Sequence, residues 1–269
     1  MSEKRIVITG AASGIAAATM AELERRGARV VGLDLNADRD ALIKCDVRDQ
    51  ASVNKAVGEA IVRLGGLDVL INCAGLATPQ SAGLAPDAKA LAVIDVNLVG
   101  PWRVTSAALP TLREARGRVV NVASGMAFVA LPFAAAYAMS KHGVVAYSGA
   151  LRLEHGDAIS VTTVYPGYIK TPIHRDSIDF GIGVSSPEES IEDAVAALSR
   201  AALGDPPVRD ITTTRTGRFT NALSRFAPRG VVDRILLAQT RKNLKGRTFD
   251  DPSTPLAQFA KRVTEGGSR

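Results

Sequence analysis

Tyr137 and Lys141 stand four residues apart in the stretch Y-A-M-S-K. On a helix that spacing puts both side chains on one face and within reach of each other. A phenol titrates near pH 10 in water and is a weak base at neutrality. An ammonium beside it favours the phenolate and lowers its pKa. A tyrosine tuned in this way can take a proton from an alcohol or return one to a carbonyl. The pair alone does not decide the matter, because the same spacing arises on helix surfaces where a lysine stem merely packs on a ring.

A second stretch, T-G-A-A-S-G-I-A from Thr9 to Ala16, falls between a β-rich run and a helical one. Such a turn lets backbone N–H groups approach a pyrophosphate, and the following helix N-terminus adds a favourable field. Gly10 allows the turn, Gly14 the close approach, and Ser13 can hydrogen-bond a phosphate or the loop itself. No Gly-Lys-Ser/Thr follows, so this is not a P-loop. Asp34 ends the second β-rich run. A carboxylate there can accept hydrogen bonds from an adenosine ribose and would repel a 2′-phosphate. The glycine loop and the two positions after Asp34 hold no Lys or Arg, and Arg39 is the nearest basic residue downstream. The combination points to NAD rather than NADP.

The elements that must position these residues alternate along the chain. Strand-like runs are expected at 5–9, 28–34, 41–46, 67–72, 117–123 and 158–165, with a seventh at 206–214. Helical runs are expected at 14–26, 51–64, 87–114 and 134–155, the last carrying Tyr137 and Lys141. Strands alternating with helices imply βαβ units. The fold class is therefore α/β, a Rossmann-type doubly wound parallel sheet of about seven strands with helices on both faces. No linker divides the chain, so residues 1–269 read as one dinucleotide-binding and catalytic domain. Residues 215–269 form a basic extension with two short helices near 218–226 and 231–243, and the last dozen or so residues read as loose.

Together these residues resemble the single-domain short-chain dehydrogenases/reductases. The resemblance rests on Thr9–Ala16, Asp34, Asp46-Val47, Asn72-Cys73-Ala74-Gly75, Asn97, Ser124, Tyr137-x-x-x-Lys141 and Pro166-Gly167-x-x-x-Thr171, in the family's order and spanning about 4–175. It implies Tyr137 as general acid/base. Lys141 would lower the Tyr137 pKa and hold the nicotinamide ribose, and Ser124 would hydrogen-bond the substrate oxygen. Asn97 would hold a water linking Lys141 to solvent. Gly10, Ser13, Gly14, Ile15 and Asp34 would bind the adenosine and pyrophosphate part of NAD. Asp46 and Val47 would contact adenine, and Asn72, Ala74 and Gly75 would line the cofactor cleft. Pro166, Gly167, Ile169 and Thr171 would face the nicotinamide. Two positions depart from the pattern: Ala16 replaces the third glycine, and Cys73 replaces the second asparagine of the strand-four motif. The family's habit of pairing through long helices implies a homo-dimer or homo-tetramer through 87–114 and 134–155. The alternative to an enzyme is a regulatory protein that binds the cofactor without turnover.

Composition narrows the setting. The chain is 46% hydrophobic and 22% charged, ordinary for a globular protein with a sizeable core. Aromatics are only 4%, so Ala, Val, Leu and Gly must fill much of the interior. Cys45, Cys73, His142, His155 and His174 show no metal-ligand spacing, so no metal site follows. After Met1 the chain shows no signal h-region, which implies a cytoplasmic protein. The uncharged stretch Val119–Ser140 contains Asn121, Ser124, Gly125 and Pro132 and reads as strand, loop and helix rather than a membrane span.

Net charge is +6, but residues 200–269 hold 14 Lys+Arg against six Asp+Glu, while 1–199 hold 19 against 21. Nothing in this pattern suggests a nucleic-acid partner. The basic tail around Val231, Val232, Ile235 and Leu236 makes an anionic membrane surface a candidate partner.

The substrate should be a small molecule bordered by Leu76-Ala77, by Met126, Phe128, Val129, Leu131 and Phe133, and by the segment after Thr171, whose residues 176–184 could act as a lid. Apolar walls suit a lipophilic secondary alcohol or ketone, such as a steroid, fatty-chain or terpenoid one. His174 and Arg175 leave an anionic group open.

Overall fold

A computed structural model of the chain describes residues 3–171, 173 and 188–265. Seven strands form one parallel sheet in the order β3-β2-β1-β4-β5-β6-β7. They are β1 (Arg5–Thr9), β2 (Arg29–Asp34), β3 (Leu42–Lys44), β4 (Val69–Asn72), β5 (Arg118–Val122), β6 (Ser160–Tyr165) and β7 (Asp210–Thr212). All seven lie inside the runs expected from sequence.

Successive residues of a strand point to opposite faces, and here both faces are apolar. In β1, Val7 joins a core with Val53, Ala56, Val104 and Ala108 from helices α2 (Gln50–Leu64) and α4 (Gly100–Glu114). Ile6 and Ile8 face the other way, to Met20 and Leu23 of α1 (Gly14–Arg25) and Leu198 and Ala201 of α6 (Ile191–Leu203). With few aromatics, alanines fill the helix contacts and let helix approach sheet closely.

The expected long helix at 87–114 is not uniform. α3 (Ala88–Ile94) runs into a π-helical turn, Asp95–Val99, and then α4. A π-turn is a local register shift often kept where function needs it, and this one carries Asn97. Helix α5 (Ala135–His155) carries Tyr137 and Lys141.

The extension comprises α7 (Arg215–Phe226), α8 (Arg229–Leu244) and α9 (Pro255–Glu265). The last corrects the expectation of a loose tail. Composition suggested disorder, but local chemistry starts a helix: the Ala257 N–H donates to Thr254 Oγ1 at 3.2 Å, and Pro255 sits at the first helical position. Ala257 and Ala260 are then buried, and α9 packs on α8, which buries Thr240 and Leu244. Helix α6 was also missing from the sequence reading. Ser190 caps it, accepting from the Asp193 N–H at 3.0 Å.

Strand order reverses at β1, whose neighbours are β2 and β4. A parallel sheet opens a crevice at such a point, outside the carboxyl ends of the strands. The residues singled out from sequence gather there.

Candidate active site

The turn after β1 is pressed onto the end of β4. Gly10 adopts φ +77°, and a Cβ on it would lie 2.8 Å from the Ala74 Cα. Only glycine permits that approach. Thr9 locks the contact, its hydroxyl accepting from the Cys73 and Ala74 N–H groups at 3.0 Å each. Gly14 opens α1 at φ +59°, and a Cβ on it would meet nothing within 4 Å. Ser13 occupies the N-cap without a side-chain cap bond, so the first N–H groups of α1 face the crevice uncapped by it. Ile15 follows in the first turn of α1 and packs against the core of that face. Ala16 is buried where α1 packs on the sheet, so the departure from glycine places one methyl inside the core.

Asp34 reaches back to the turn. Its Oδ2 accepts from the Ala12 N–H and its Oδ1 from the Asn36 N–H, each at 2.9 Å. Each oxygen keeps a lone pair for a further donor. Arg39 donates to the Ala11 carbonyl at 3.2 Å, so a guanidinium also borders this corner. The uncapped helix end, open glycine and carboxylate thus fit the pyrophosphate and ribose of a nicotinamide dinucleotide.

The other candidates fall into two groups. Asp46 is paired with Arg48 at 2.7 Å, which holds its carboxyl below the usual range. Val47 is buried against Gly100. Asn72 points into the interior, donating to Thr105 Oγ1 and Asn121 Oδ1 at 3.0 and 2.8 Å, so Ala74 and Gly75 provide the surface of that segment. A Cβ on Gly75 would lie 3.5 Å from Asn97 Oδ1, 3.5 Å from Ile173 Cδ1 and 3.9 Å from Lys141 Nζ, which brings three separate elements to one point.

Around that point the catalytic candidates converge. Asn97 accepts from the Leu76 N–H at 2.7 Å, and its Nδ2 donates to the Leu76 carbonyl at 2.8 Å and Ser140 Oγ at 3.1 Å. Both amide hydrogens are committed, so its side chain works as a tie between the π-turn, the loop after β4 and α5. Lys141 is only 5% exposed and donates to the Val122 carbonyl at 3.0 Å. Its Nζ lies 5.8 Å from the Tyr137 ring centroid. Ser124, at the end of β5, is held by its neighbours. Gly125 N–H donates to the Pro166 carbonyl at 2.7 Å, and Met126 N–H to Ser124 Oγ at 3.1 Å.

The electrostatics differ from the sequence expectation in one respect. Without cofactor, burial pushes the Tyr137 phenol up, and hydrogen bonding with Ser124 only partly opposes this. Burial also pulls Lys141 down to about 8. Loss of water outweighs the attraction that was expected to lower the phenol. Burial pushes the Cys73 thiol up to about 11, so it stays neutral beside Lys141.

Ser124 and Tyr137 open into a cavity of about 520 Å³. Met126, Val129, Leu131, Phe133 and Ala77 line it as expected, together with Pro166 and Gly167. Phe128 instead stacks on Tyr165 at 5.8 Å, with the Arg225 guanidinium 5.5 Å from its ring centroid. Ile169 is buried beneath the loop and Thr171 half-buried at its end. His174, Arg175 and the suggested lid at 176–184 lie outside the described residues. Among the described lining residues, the charged ones are Glu188, Glu189 and Asp193, all acidic. The far wall was not foreseen. It comes from the extension, through Leu223 of α7, Ala227 at its C-cap, and Val231, Val232, Ile235 and Leu236 of α8. Their spacing signals one helix face. The cavity gives that apolar stripe a role that needs no membrane.

The short chain dehydrogenase family model matches residues 4–180. The chain belongs to the short-chain dehydrogenase/reductase family. Among its relatives, it is 32% identical to the oxidoreductase UcpA of Salmonella typhimurium over 222 residues, covering 77% of this chain and 84% of that protein. It is 36% identical to human retinol dehydrogenase 16 over 188 residues, covering 64% and 59%. A short chain dehydrogenase of Burkholderia cenocepacia, solved in complex with NADP, superposes with a TM-score of 0.74 at 26% identity, covering 87% of this chain and 98% of that one. This family member is an oxidoreductase that uses a nicotinamide cofactor on a small-molecule substrate.

Proposed function

We propose that the chain interconverts a lipophilic secondary alcohol and its ketone with NAD, and that Tyr137 is the general acid/base. One observation carries the reading: Ser124 and Tyr137 share the end of a mainly apolar cavity, with Lys141 buried close behind. The bound cofactor supplies the hydride acceptor. Gly10, Ser13, Gly14 and Ile15 hold its pyrophosphate, Asp34 its adenosine ribose, and Asp46 and Val47 border the adenine. Asn72 supports the cleft from the interior while Ala74 and Gly75 line it. Pro166, Gly167 and Thr171 would border the nicotinamide, with Ile169 buried in support of the same loop.

Ser124 orients the substrate hydroxyl, and Tyr137 takes its proton as the hydride leaves. Lys141 holds the nicotinamide ribose and stabilises the phenolate. Asn97 fixes the turn through which a proton reaches solvent, and its committed side chain leaves the main chain to hold the relay water. Oxidation needs the phenolate, so its rate rises with pH while the reductive rate falls.

Asp34 favours NAD, although the Burkholderia neighbour carries NADP. Acidic rather than basic residues on the described cavity wall favour a neutral substrate over an anionic one. The relative named for retinol dehydrogenation is consistent with a lipophilic alcohol. The whole chain, 1–269, acts as one catalytic domain. A homo-dimer or tetramer would pair through α4 and α5, a reading supported by Trp102 of α4, 61% exposed and 5.7 Å from Tyr147 of α5. No helix among the described residues is long and apolar enough to cross a membrane.

The test is NADH formation from a panel of secondary alcohols running from sterols to polyols, with NAD and NADP in parallel. Tyr137→Phe should lower turnover by about 10³-fold while NADH still binds. Full activity in that variant would refute the mechanism, and turnover of polyols alone would refute the substrate class.

A further inference from the structure

Glu189 belongs to none of the motifs above, yet among the described residues it is the buried carboxylate, 9% exposed. A carboxylate withdrawn from water is retained only where donors repay its desolvation. Here the donors come from two regions of the chain. Gly167 N–H donates to Oε2 at 2.9 Å. The Thr213 hydroxyl donates to the same oxygen, and the Thr214 hydroxyl donates to Oε1 at 2.7 Å.

Glycines make room on both sides. A Cβ on Gly167 would sit 2.5 Å from Glu189 Cδ, and one on Gly217 would sit 3.0 Å from Oε1. The backbone joins in, since Glu189 N–H donates to the Tyr168 carbonyl at 2.8 Å. Thr214 is also the N-cap of α7, accepting from Gly217 N–H at 2.9 Å. One carboxylate therefore ties the loop after β6 to the first turn of the extension that walls the cavity.

We propose that Glu189 is a positioning residue for hydride transfer. It fixes Gly167 and the start of α7 as one clamp, so the seat of the nicotinamide and the wall against the substrate keep a set separation. The proposal rests on the reading that the nicotinamide lies beside Gly167. Its removal should disturb the reactive end of the cofactor site and spare the adenosine end, where Asp34 and the glycine turn sit on other elements.

The experiment compares wild type, Glu189→Ala, Glu189→Gln and Thr214→Val by three readouts: ADP-ribose affinity, emission of bound NADH, and kcat with the best alcohol. Glu189→Ala should bind ADP-ribose within about twofold of wild type, while bound-NADH emission moves toward that of free NADH and kcat falls on the order of tenfold to a hundredfold. Glu189→Gln keeps the shape and one acceptor oxygen and should recover a large part of that loss. Thr214→Val should show a smaller loss of the same kind, and it keeps the test open if Glu189→Ala does not fold. Unchanged emission and kcat in the variants would overturn the proposal. So would a parallel fall in ADP-ribose affinity, which marks general loss of structure. Wild-type protein that turns over no alcohol or ketone with either cofactor would remove the alcohol–ketone reading, and the proposal with it, before any variant is compared.

Discussion

The two walls of the active site are built differently. On the cofactor side, glycines, a carboxylate and backbone donors sit at strand ends, and most contacts are hydrogen bonds between residues of recognisable motifs. Thr9 to Cys73 and Ala74, Asp34 to Ala12, and Asn97 to Leu76 are all of this kind. On the substrate side, the far wall is a set of apolar side chains on α7 and α8, among them Leu223, Val232 and Leu236. The first wall is specified by geometry that few residue types can supply. The second is specified by shape, which many apolar residues can supply. On the proposed function, chemistry is written in short motifs and selectivity in side chains of the distant C-terminal extension.

Mutations that act on one wall alone would sharpen this contrast. The largest effect is expected at Asp34. On the proposed preference for NAD, Asp34→Ser removes the carboxylate expected to repel a 2′-phosphate and leaves Arg39 beside the Ala11 carbonyl to receive it. The ratio of kcat/KM for NAD over NADP should drop by about a hundredfold, with the alcohol preference unchanged. A shift in alcohol preference would show that the walls are not separate.

A smaller effect is expected on the opposite wall. Leu236→Trp fills part of the cavity and should raise KM for the largest alcohols by about tenfold, leaving KM for NAD and for short alcohols near wild type. Equal losses for short and long alcohols would mean that α8 does not gauge size.

The smallest effect concerns stability. Lys141 is held near 8 in the folded chain against 10.5 in water. Below about pH 8 both states carry the proton, and the folded state bears the cost of a buried ammonium. Between about 8 and 10.5 the unfolded state binds more protons, so stability rises with pH. Lys141→Met should therefore stabilise the cofactor-free protein at pH 7 by roughly 1 kcal/mol, lose that gain toward pH 10.5, and abolish turnover. Thermal unfolding across this range checks it. A destabilised variant at pH 7 would show that the bond to the Val122 carbonyl outweighs the buried charge.

The contrast also explains what could be read from sequence. All seven strands were legible, because their apolar runs end in turn residues at the places where motifs begin. Helix α6 was not, since A-V-A-A-L-S-R-A-A-L is apolar almost throughout and its exposed face carries only a few charges, Glu192, Asp193 and Arg200. Its Ser190 cap was the available signal. Helix α9 was missed because Ser, Thr, Pro and Gly suggested disorder, although Thr254-Pro255 is a helix start. In the site, Asn72 could be placed at the crevice but not oriented, because its neighbours Thr105 and Asn121 come from distant segments. Glu189 left no motif at all. Its partners Gly167, Thr213 and Thr214 meet it only through the fold. The stripe Val231, Val232, Ile235 and Leu236 was visible as one helix face, but what it faces was not.

The wall formed by α7 and α8 has a consequence for descent. Its helices lie outside the sheet whose strand ends hold the glycine turn and Ser124, and apart from α5, which carries Tyr137 and Lys141. On the proposed function, exchange of one aliphatic residue there would alter which molecules are admitted while leaving the reacting groups in place. A lineage could thus change its diet many times while its hydride chemistry stayed constant, and descendants would diverge fastest along that stripe.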